Sequence, residues 1–540
     1  MILLHDFVWA LPFLLYAETH YRFPYFFSLL KKAEPELLAD VPHRIEPGHA
    51  LPVLVLAKDA HQYPSRLRSV RVIIRQHGQT IIEKEVLPVP VDLTTAFWWT
   101  VFPVPIEGVD GWIEVDVLMT CEAKGRVATY HADNYRTSSH KPFRIFIAKD
   151  PLPRLPGVFF GDPHTHSNYT NDQVEFGSPV GASIALAKAA GLSFYCVTDH
   201  SYDLDDSPDD YSVNDPSLPK WYSLQNEVRV ENNRQEGFAV ICGEEVTSRN
   251  ANGKNVHFLL FGHDKFIPGS GDGAEQWLET KSEFSIGEIL SNKTTDVPGY
   301  AAHPMEPVSI LQRILLNRGP WALRDISDRR LTGIQFANGY QSKGFFRGYR
   351  AWIECLLKGQ RLFCLAGNDA HGNFARFRQI GIPFFTIREN SKQLFGRMRT
   401  ALFLRSRIDC SNVLQALCNG TSVITDGPIA NILLSMATDT KTSIGETFVG
   451  ERFEIKVIAN STSEFGPISE VHVYKGRIGA MSEDLLLKKA SLSVFQIDER
   501  LTVTVEGHSY VRVEIFTAKG NFADGQPHFC MTNPVWFRPS

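Results

Sequence analysis

Three stretches of this 540-residue chain carry different patterns of apolar residues, and this change of pattern limits the folds open to the chain. Over residues 51–148, and again after Pro428, apolar and polar residues alternate in short runs such as residues 112–118. Period-two runs separated by turn residues are typical of antiparallel strands with one buried face. The pattern therefore predicts a β-sandwich region over residues 1–150 and a second β-sandwich domain over residues 429–540.

The middle of the chain, residues 157–428, has a different pattern. Apolar strand-like runs, at 158–160, 192–198, 238–243, 256–261, 299–302, 333–336, 362–366 and 383–387, follow one another here, with a helical stretch near 179–190. Strands that alternate with helices predict a parallel sheet, either closed as a β/α barrel or wound open. In both architectures the chemistry collects at the carboxyl ends of the strands. The proline-rich residues 151–156 are expected to link this α/β region to the first sandwich.

Composition excludes several classes of protein. The 55 Lys and Arg residues against 60 Asp and Glu leave a net charge of −5, which argues against a broad basic face for duplex nucleic acid. The eight cysteines lack any Cys-x-x-Cys pair and are expected to be buried thiols in a reducing compartment. The apolar residues 7–17 follow Asp6 and contain Pro12, unlike a signal peptide. A cytoplasmic protein without a membrane partner is expected.

Histidines and carboxylates recur beside the apolar runs of the middle region. His164 and His166 follow residues 158–160, and alternate residues of an extended chain point the same way, as two ligands of one metal must. Further residues of this kind end or start other runs: Asp199 with His200, Glu244 with Glu245, His257, His303, and Asp369 with His371. Six of the seven histidines in residues 157–428 are placed in this way.

Each of these residues alone also has an ordinary structural explanation. His-x-His is usually a hydrogen-bonded loop pair, Asp-His is usually a helix cap, and an isolated Asp172 would be an Asx turn. His263 is interpreted as structural. The repetition at strand ends has one economical explanation, which is a site for several metal ions with imidazole and carboxylate ligands.

The order of these motifs resembles that of the polymerase-and-histidinol-phosphatase (PHP) superfamily. The shared motifs are Asp-x-His-x-His at 162–166, Thr-Asp-His at 198–200, Gly-x-Glu-Val-Thr at 243–247, His-Pro at 303–304 and Asp-Ala-His at 369–371. The resemblance covers half of the chain. The flanking β regions, with Thr532-Asn533-Pro534, resemble the carbaryl-hydrolase-like branch of this superfamily.

The resemblance implies a distorted seven-stranded β/α barrel over residues 157–428, with two or three divalent metal ions (Mn, Zn or Fe) at its mouth. The ligands it implies are His164, His166, Glu245 and Asp369 for one ion, His257 and His303 with bridging Glu245 for a second, and Asp172, His200 and His371 for a third. Asp162 and Asp199 compete with Asp172 for its place; otherwise they are expected to orient imidazoles from outside the ligand shell.

These implied ligands predict a phosphoesterase that attacks a phosphomonoester or phosphodiester of a small molecule or nucleotide with a metal-bridged hydroxide. Glu245, Asp369 and His371 are the implied catalytic residues. Lys254, Arg376 and Arg378 are candidates for binding the phosphate, with solvated surface charges as the alternative. Two other functions remain open from the sequence: a carbamate, ester or amide hydrolase using the same metals, and a glycan- or protein-binding β-sandwich protein with a non-catalytic metal site.

Overall fold

The chain forms two compact units in the computed structural model. The first unit comprises residues up to 149 together with 170–191 and 370–395, and the second comprises 150–169, 192–369 and 396–540. The structure describes residues 34–134, 140–171, 177–271, 280–376, 379–382, 385–388, 392–434, 442–521 and 527–540. The domain limits expected from the sequence stay a prediction.

The first unit is built mainly from antiparallel strands. Its elements are β1 (Glu36–Asp40), β2 (Arg44–Ile45), β3 (Leu51–Lys58), β4 (Ser65–Gln76), β5 (Gln79–Glu85), β6 (Val91–Leu93), β7 (Phe97–Val104), β8 (Gly111–Ala123), β9 (Arg126–His131), β10 (Phe143–Ile147), α1 (Val180–Ala189), β20 (Ala370–His371), β21 (Gln379–Ile382) and β22 (Phe385–Arg388).

Two sheets, ordered β1-β3-β7 and β2-β10-β8-β4-β5, form the body of this unit, with β6 on β4 and β9 on β8. Strand β4 shows how the sequence produces a sheet with one buried face. Its buried and exposed residues alternate, so that Val70 and Val72 point into the core. Val53 and Val55 of β3 belong to the same buried cluster. The two sheets of this region therefore contribute to one buried cluster.

The second unit contains the other strands and helices. Its elements are β11 (Val158–His166), β12 (Phe194–Val197), α2 (Ser201–Leu204), β13 (Asp206–Ser207), β14 (Asp210–Asn214), α3 (Pro219–Arg234), β15 (Ala239–Arg249), β16 (Asn255–Phe261), α4 (Ile286–Asn292), β17 (Gly299–Ala302), α5 (Ile310–Leu315), α6 (Leu323–Ile326), β18 (Gly333–Asn338), α7 (Lys343–Leu357), β19 (Phe363–Gly367), β23 (Arg399–Phe403), α8 (Cys410–Asn419), β24 (Ser422–Thr425), β25 (Ile429–Leu434), β26 (Thr447–Val449), β27 (Arg452–Asn460), β28 (Ile468–Arg477), β29 (Asp484–Lys489), β30 (Gln496–Thr504), β31 (Ser509–Thr517), β32 (Phe529–Thr532) and β33 (Val535–Arg538).

One long sheet organises this unit. Its strand order is β19-β18-β17-β16-β15-β12-β11-β23-β24-β32-β31-β28-β29, while β25, β27 and β30 form a separate three-stranded sheet. Strands β11, β12 and β15 are parallel to one another, and so are β17, β18 and β19. Between these two parallel sets, β15, β16 and β17 pair in antiparallel fashion.

The expectation of a distorted seven-stranded β/α barrel is wrong. Strands hold 43% of the residues and helices only 15%, and the chain forms several sheets. In the long sheet, β11 lies between parallel β12 and antiparallel β23, whereas β19 is the first strand of the order. Residues 250–254 join β15 to β16 as a hairpin without a helix. Apolar runs mark strands but do not specify their partners, and the barrel expectation failed at that step.

The C-terminal strands continue the long sheet of the middle region. Strand β32 pairs with β24 of the middle region and with β31, which continues the long sheet. Tyr510, Phe529 and Trp536 share a buried cluster with Phe258 and Trp352 of the middle region. The two regions therefore fold around one core.

Two smaller expectations can be compared with the structure. All eight cysteines are free thiols, and five of them are buried, as expected for unpaired residues. In the part of the chain that the structure describes, no helix is long and apolar enough to cross a membrane.

Candidate metal centre

Glu245 lies at the centre of the histidine cluster of the second unit. Its Oε1 atom lies 2.8 Å from His257 Nδ1, 3.2 Å from His303 Nε2 and 3.3 Å from His164 Nε2. Its Oε2 atom lies 3.1 Å from His200 Nδ1 and 3.4 Å from His166 Nε2. The Glu245 side chain is fully buried. One carboxylate thus faces five imidazoles.

The long sheet brings these residues together. His164 and His166 end β11, His200 precedes α2 after β12, and His303 directly follows β17. Glu245 lies inside β15, which extends to Arg249 and not only to Gly243 as the apolar run suggested. The backbone N–H of Glu245 donates to Asp199 O at 3.0 Å, which fixes β15 next to His200.

Asp369 is the second carboxylate of the cluster. It follows β19, and its Oδ1 atom lies 3.2 Å from His166 Nε2 and 3.3 Å from His164 Nε2. Its backbone N–H donates to His164 O at 2.9 Å. Asp369 (φ 53°) and His303 (φ 28°) both adopt left-handed backbone conformations. Non-glycine residues in this region cost about 1–2 kcal/mol each, and such costs concentrate at functional sites.

Two sets of ligand atoms in this unit are close enough to hold a metal ion. His164, Glu245, His303 and Asp369 form one set, and His200, Glu245 and His257 form the other, with the ligand atoms of each set within 4.8 Å of one another. The grouping differs from the one that the resemblance implied, because His303 lies with His164 and His200 lies with His257. Glu245 belongs to both sets, as a bridging ligand would. The metal-ligand roles themselves stay a prediction.

Gln335 decides which nitrogen of His164 faces the carboxylates. Its Oε1 atom accepts a 2.8 Å hydrogen bond from His164 Nδ1, while its Nε2 atom donates to Asn338 Oδ1 at 3.2 Å. The proton of a neutral His164 is therefore held on Nδ1, and its Nε2 lone pair points at Glu245 and Asp369. This Nε2 atom is buried without a hydrogen-bond partner. A lone pair that faces two carboxylates needs a cation between them, so the donor set fits a divalent ion.

The charges of the cluster shift the pKa values of its members. Burial raises the pKa of both Glu245 and Asp369, but the surrounding imidazoles, with His164 acting on both, outweigh it and hold these pKa values well below the usual range. Burial alone would lower the pKa of His164, whereas the charges of Glu245 and Asp369 raise it to about 9. Glu245 and Asp369 thus stay ionised, and the His164 proton lies between the imidazole and these carboxylates, where a metal ion would bind.

Asp162 supports the backbone around the cluster. Its buried carboxylate accepts from the backbone N–H groups of His164 (3.2 Å), Asn368 (3.2 Å) and Gly396 (2.9 Å), and from Asn368 Nδ2 (2.6 Å). These bonds reach the backbone of β11, of the loop after β19 and of Gly396 before β23. From the sequence, Asp162 is instead expected to orient an imidazole ring. Asp199 accepts from the backbone N–H and hydroxyl of Ser167, both at 2.6 Å.

Glu244 points away from the cluster, as the alternation along a strand predicts. Its buried carboxylate lies 2.6 Å from His263 Nε2, and it accepts from the backbone N–H of Ile267. His263, interpreted as structural from the sequence, is thus the partner of a buried carboxylate on the opposite face of β15.

The other predicted residues are Asp172, Lys254, His371, Arg376 and Arg378. Asp172 and Arg378 lie outside the described residues. His371 ends β20, and Arg376 lies five residues later; both belong to the first unit. The backbone N–H of Arg376 donates to the Asp40 carboxylate at 2.9 Å. Lys254 donates through Nζ to Asn317 Oδ1 at 2.7 Å.

Two polar residues near the cluster were missed by sequence reasoning. Gln335 interrupts the apolar run Ile334-Gln335-Phe336 of β18, and a buried amide in such a run is a signal that could have been used. Arg318, whose guanidinium contacts His257, lies in a loop without a distinctive pattern. Only the fold brings it to the site.

Comparison with known proteins assigns no family. No family model matches the sequence, and no curated protein matches it. Solved structures to which the chain is similar include the β-D-mannosidase of Dictyoglomus thermophilum, at 6% identity and a TM-score of 0.24 over 93% of this chain and 66% of that one. Another is β-glucuronidase 2 of Bacteroides uniformis, at 9% identity and a TM-score of 0.19 over 95% of this chain and 62% of that one.

A third such structure is trypsin-activated α-2-macroglobulin of Escherichia coli, at 8% identity and a TM-score of 0.14 over 94% of this chain and 24% of that one. This chain spans less than two thirds of each of these proteins. TM-scores of this size assign neither a fold nor a function.

Proposed function

We propose that this chain is a metal-dependent phosphoesterase, with ligand motifs like those of the PHP superfamily, that hydrolyses a phosphomonoester or phosphodiester of a small molecule or nucleotide. One observation carries the proposal: the buried Glu245 carboxylate faces five imidazoles and belongs to both potential metal-binding sets. A structural ion pair needs one imidazole for one carboxylate. Two ions that share a carboxylate account for the excess.

The chain's own residues set up this chemistry. Divalent ions held by the two sets would lower the pKa of a water molecule and offset the charge that develops on a phosphoryl oxygen. When His164 is neutral, Gln335 keeps its proton on Nδ1, so that Nε2 is available as a ligand atom. Asp162 accepts from the backbone N–H groups of His164 and of Asn368, the residue before Asp369. It thereby fixes the backbone beside two members of the set formed by His164, Glu245, His303 and Asp369.

A substrate panel tests the proposal. The metal-free full-length protein is supplied with Mn²⁺, Zn²⁺ or Fe²⁺ and assayed against chromogenic phosphomonoesters, phosphodiesters, aryl esters and carbamates. We expect hydrolysis of a phosphoester that depends on the added ion and stops on chelation. A control with His263→Asn, on the opposite face of β15, should keep its metal content.

The other outcomes separate the remaining functions. Hydrolysis of esters or carbamates without any phosphoester turnover would replace the proposal with a non-phosphate hydrolase. A protein that binds no ion and turns over none of these substrates would leave the glycan- or protein-binding function as the one to pursue.

A further inference from the structure

Arg318 is a cationic side chain beside the cluster to which neither the sequence pattern nor the motifs give a role. Its Nη2 atom lies 3.3 Å from His257 Nδ1 and also contacts His257 Nε2. His257 Nδ1 lies 2.8 Å from Glu245 Oε1. One imidazole ring therefore separates the guanidinium from the carboxylate that both metal-binding sets share.

The loop that carries Arg318 is fixed to the strand that carries His257. The backbone N–H of Asn255 donates to Asn317 O, and that of Gly319 donates to Asn255 O, both at 3.1 Å. The buried Asn255 side chain donates to Leu316 O at 2.9 Å. Residues on both sides of Arg318 are thus bonded to Asn255, two positions before His257 on β16. The fold sets the position of this arginine relative to the cluster.

The chemistry of the guanidinium points to an anion. Arginine stays charged at every physiological pH, and its planar set of N–H donors matches the oxygens of a phosphate. Divalent ions in the cluster would repel a neighbouring guanidinium unless an anion lay between them. Lys254, one of the three cations that the sequence suggests for phosphate binding, donates to Asn317 Oδ1 beside Arg318.

We propose that Arg318 is a substrate-binding residue that holds the anionic oxygens of the substrate's phosphoryl group and so favours phosphoesters over neutral esters and carbamates. This inference rests on the proposed phosphoesterase function. Arg318 carries no part of metal binding in this role. Its loss therefore weakens the binding of anions and leaves the metal content unchanged.

Binding of inorganic phosphate to the metal-loaded full-length protein tests the inference without requiring turnover. Isothermal titration calorimetry compares the unmodified protein with Arg318→Gln, Arg318→Lys and the control Arg313→Gln, which removes an exposed arginine from α5 of the same region. We expect Arg318→Gln to raise the Kd for phosphate about 10- to 100-fold, as for a lost charge-assisted hydrogen bond. Arg318→Lys should be intermediate, and Arg313→Gln should stay within about twofold.

Kinetics and elemental analysis complete the test. Arg318→Gln should raise KM for a phosphoester far more than for a neutral aryl ester, at equal metal content. If Arg318→Gln binds phosphate as tightly as the unmodified protein, the role of Arg318 is overturned while the proposed function stands. If the unmodified protein neither binds phosphate nor hydrolyses any phosphoester, both are overturned. Loss of metal from both Arg318 variants would make the residue structural and would also overturn its assignment.

Discussion

Glu245 and Glu244 are neighbours in β15 with opposite surroundings. Glu245 faces five imidazoles, whereas Glu244 faces His263. Both carboxylates are fully buried, so a difference in exposure does not complicate their comparison. The pair therefore separates, within one strand, the loss of a potential metal ligand from the loss of a buried contact with a single histidine.

We expect Glu245→Gln to lower metal occupancy in both sets, because it removes a negative charge that both sets share. Glu244→Gln should keep the full metal content. It should instead lower the free energy of unfolding by about 1–3 kcal/mol, since it weakens the charge-assisted bond to His263. Elemental analysis and denaturant unfolding of the two variants measure both effects. Greater metal loss in Glu244→Gln would show that the register of this motif is off by one residue.

His164 predicts a pH dependence of metal binding. Its pKa is raised to about 9, above the value of 6.5 that an ordinary histidine has, so its proton stabilises the metal-free protein. That stabilisation is complete below about pH 6.5 and is lost as the pH rises through about 9. A metal ion needs the neutral ring and must displace the proton.

We therefore expect metal binding at pH 7.5 to release about one proton from His164, and the affinity to increase between pH 7 and 9. Calorimetric titration in two buffers with different ionisation enthalpies measures the number of protons released. An affinity that stays constant over this pH range, without proton release, would contradict the assignment of His164 as a ligand.

At the scale of elements, Asp40 shows how the end of one strand holds a distant segment. It ends β1, and its carboxylate accepts from the backbone N–H groups of Phe374 (2.8 Å), Ala375 (3.0 Å) and Arg376 (2.9 Å). Burial raises its pKa from 3.8 to about 6, although the Arg376 charge and the backbone donors oppose this rise.

Because the folded state binds the Asp40 proton more tightly than the unfolded state does, its contribution to stability declines as the pH rises from about 4 to about 6. The decline amounts to about 3 kcal/mol for a shift of this size. We expect the difference in unfolding free energy between the unmodified protein and Asp40→Asn to decrease over this interval and to level off above it. Urea unfolding from pH 4 to 7 measures the difference, and a constant value would refute the raised pKa.

At the scale of the whole molecule, the C-terminal strands belong to the core of the middle region. Asn533 illustrates this dependence, since its Oδ1 accepts from Cys364 N at 2.7 Å on β19 and its Nδ2 donates to Ser422 Oγ at 2.9 Å on β24. Strand β32, which directly precedes Asn533, pairs with the same strand, β24. A chain without residues 429–540 would expose the edge of β24 and much of the shared core.

We expect a chain that ends at Pro428 to be insoluble or to lack fixed tertiary structure. We also expect it not to bind metal ions in a fixed ratio to the protein. This result differs from the one expected from three independent domains, in which the middle region would keep its metal site. Near-UV circular dichroism and limited proteolysis measure the tertiary structure. The substitution Asn533→Ala is the milder test and should cost about 1–3 kcal/mol, because it leaves the buried Cys364 N–H without its partner. A folded, metal-binding fragment would overturn the shared core.

The sequence by itself determined where several strands of the middle region lie and that histidines and carboxylates flank them. Both are local properties, because apolar runs and side-chain alternation depend only on neighbouring residues. For example, the run at residues 299–302 coincides with β17, and His303 follows it directly. The opposite faces of Glu244 and Glu245 were predictable for the same reason.

Only the tertiary structure decided which strands pair, and therefore that the long sheet does not close as a barrel and that it includes the C-terminal strands. It also decided which histidines share an oxygen of Glu245, and it brought Gln335 to His164 across 171 positions and Arg318 to His257 across 61. The edge of one strand can form hydrogen bonds with the edge of any other strand of suitable length. A buried amide or guanidinium can likewise form hydrogen bonds with any suitable group nearby. These choices follow from how the whole chain packs, which no local pattern records.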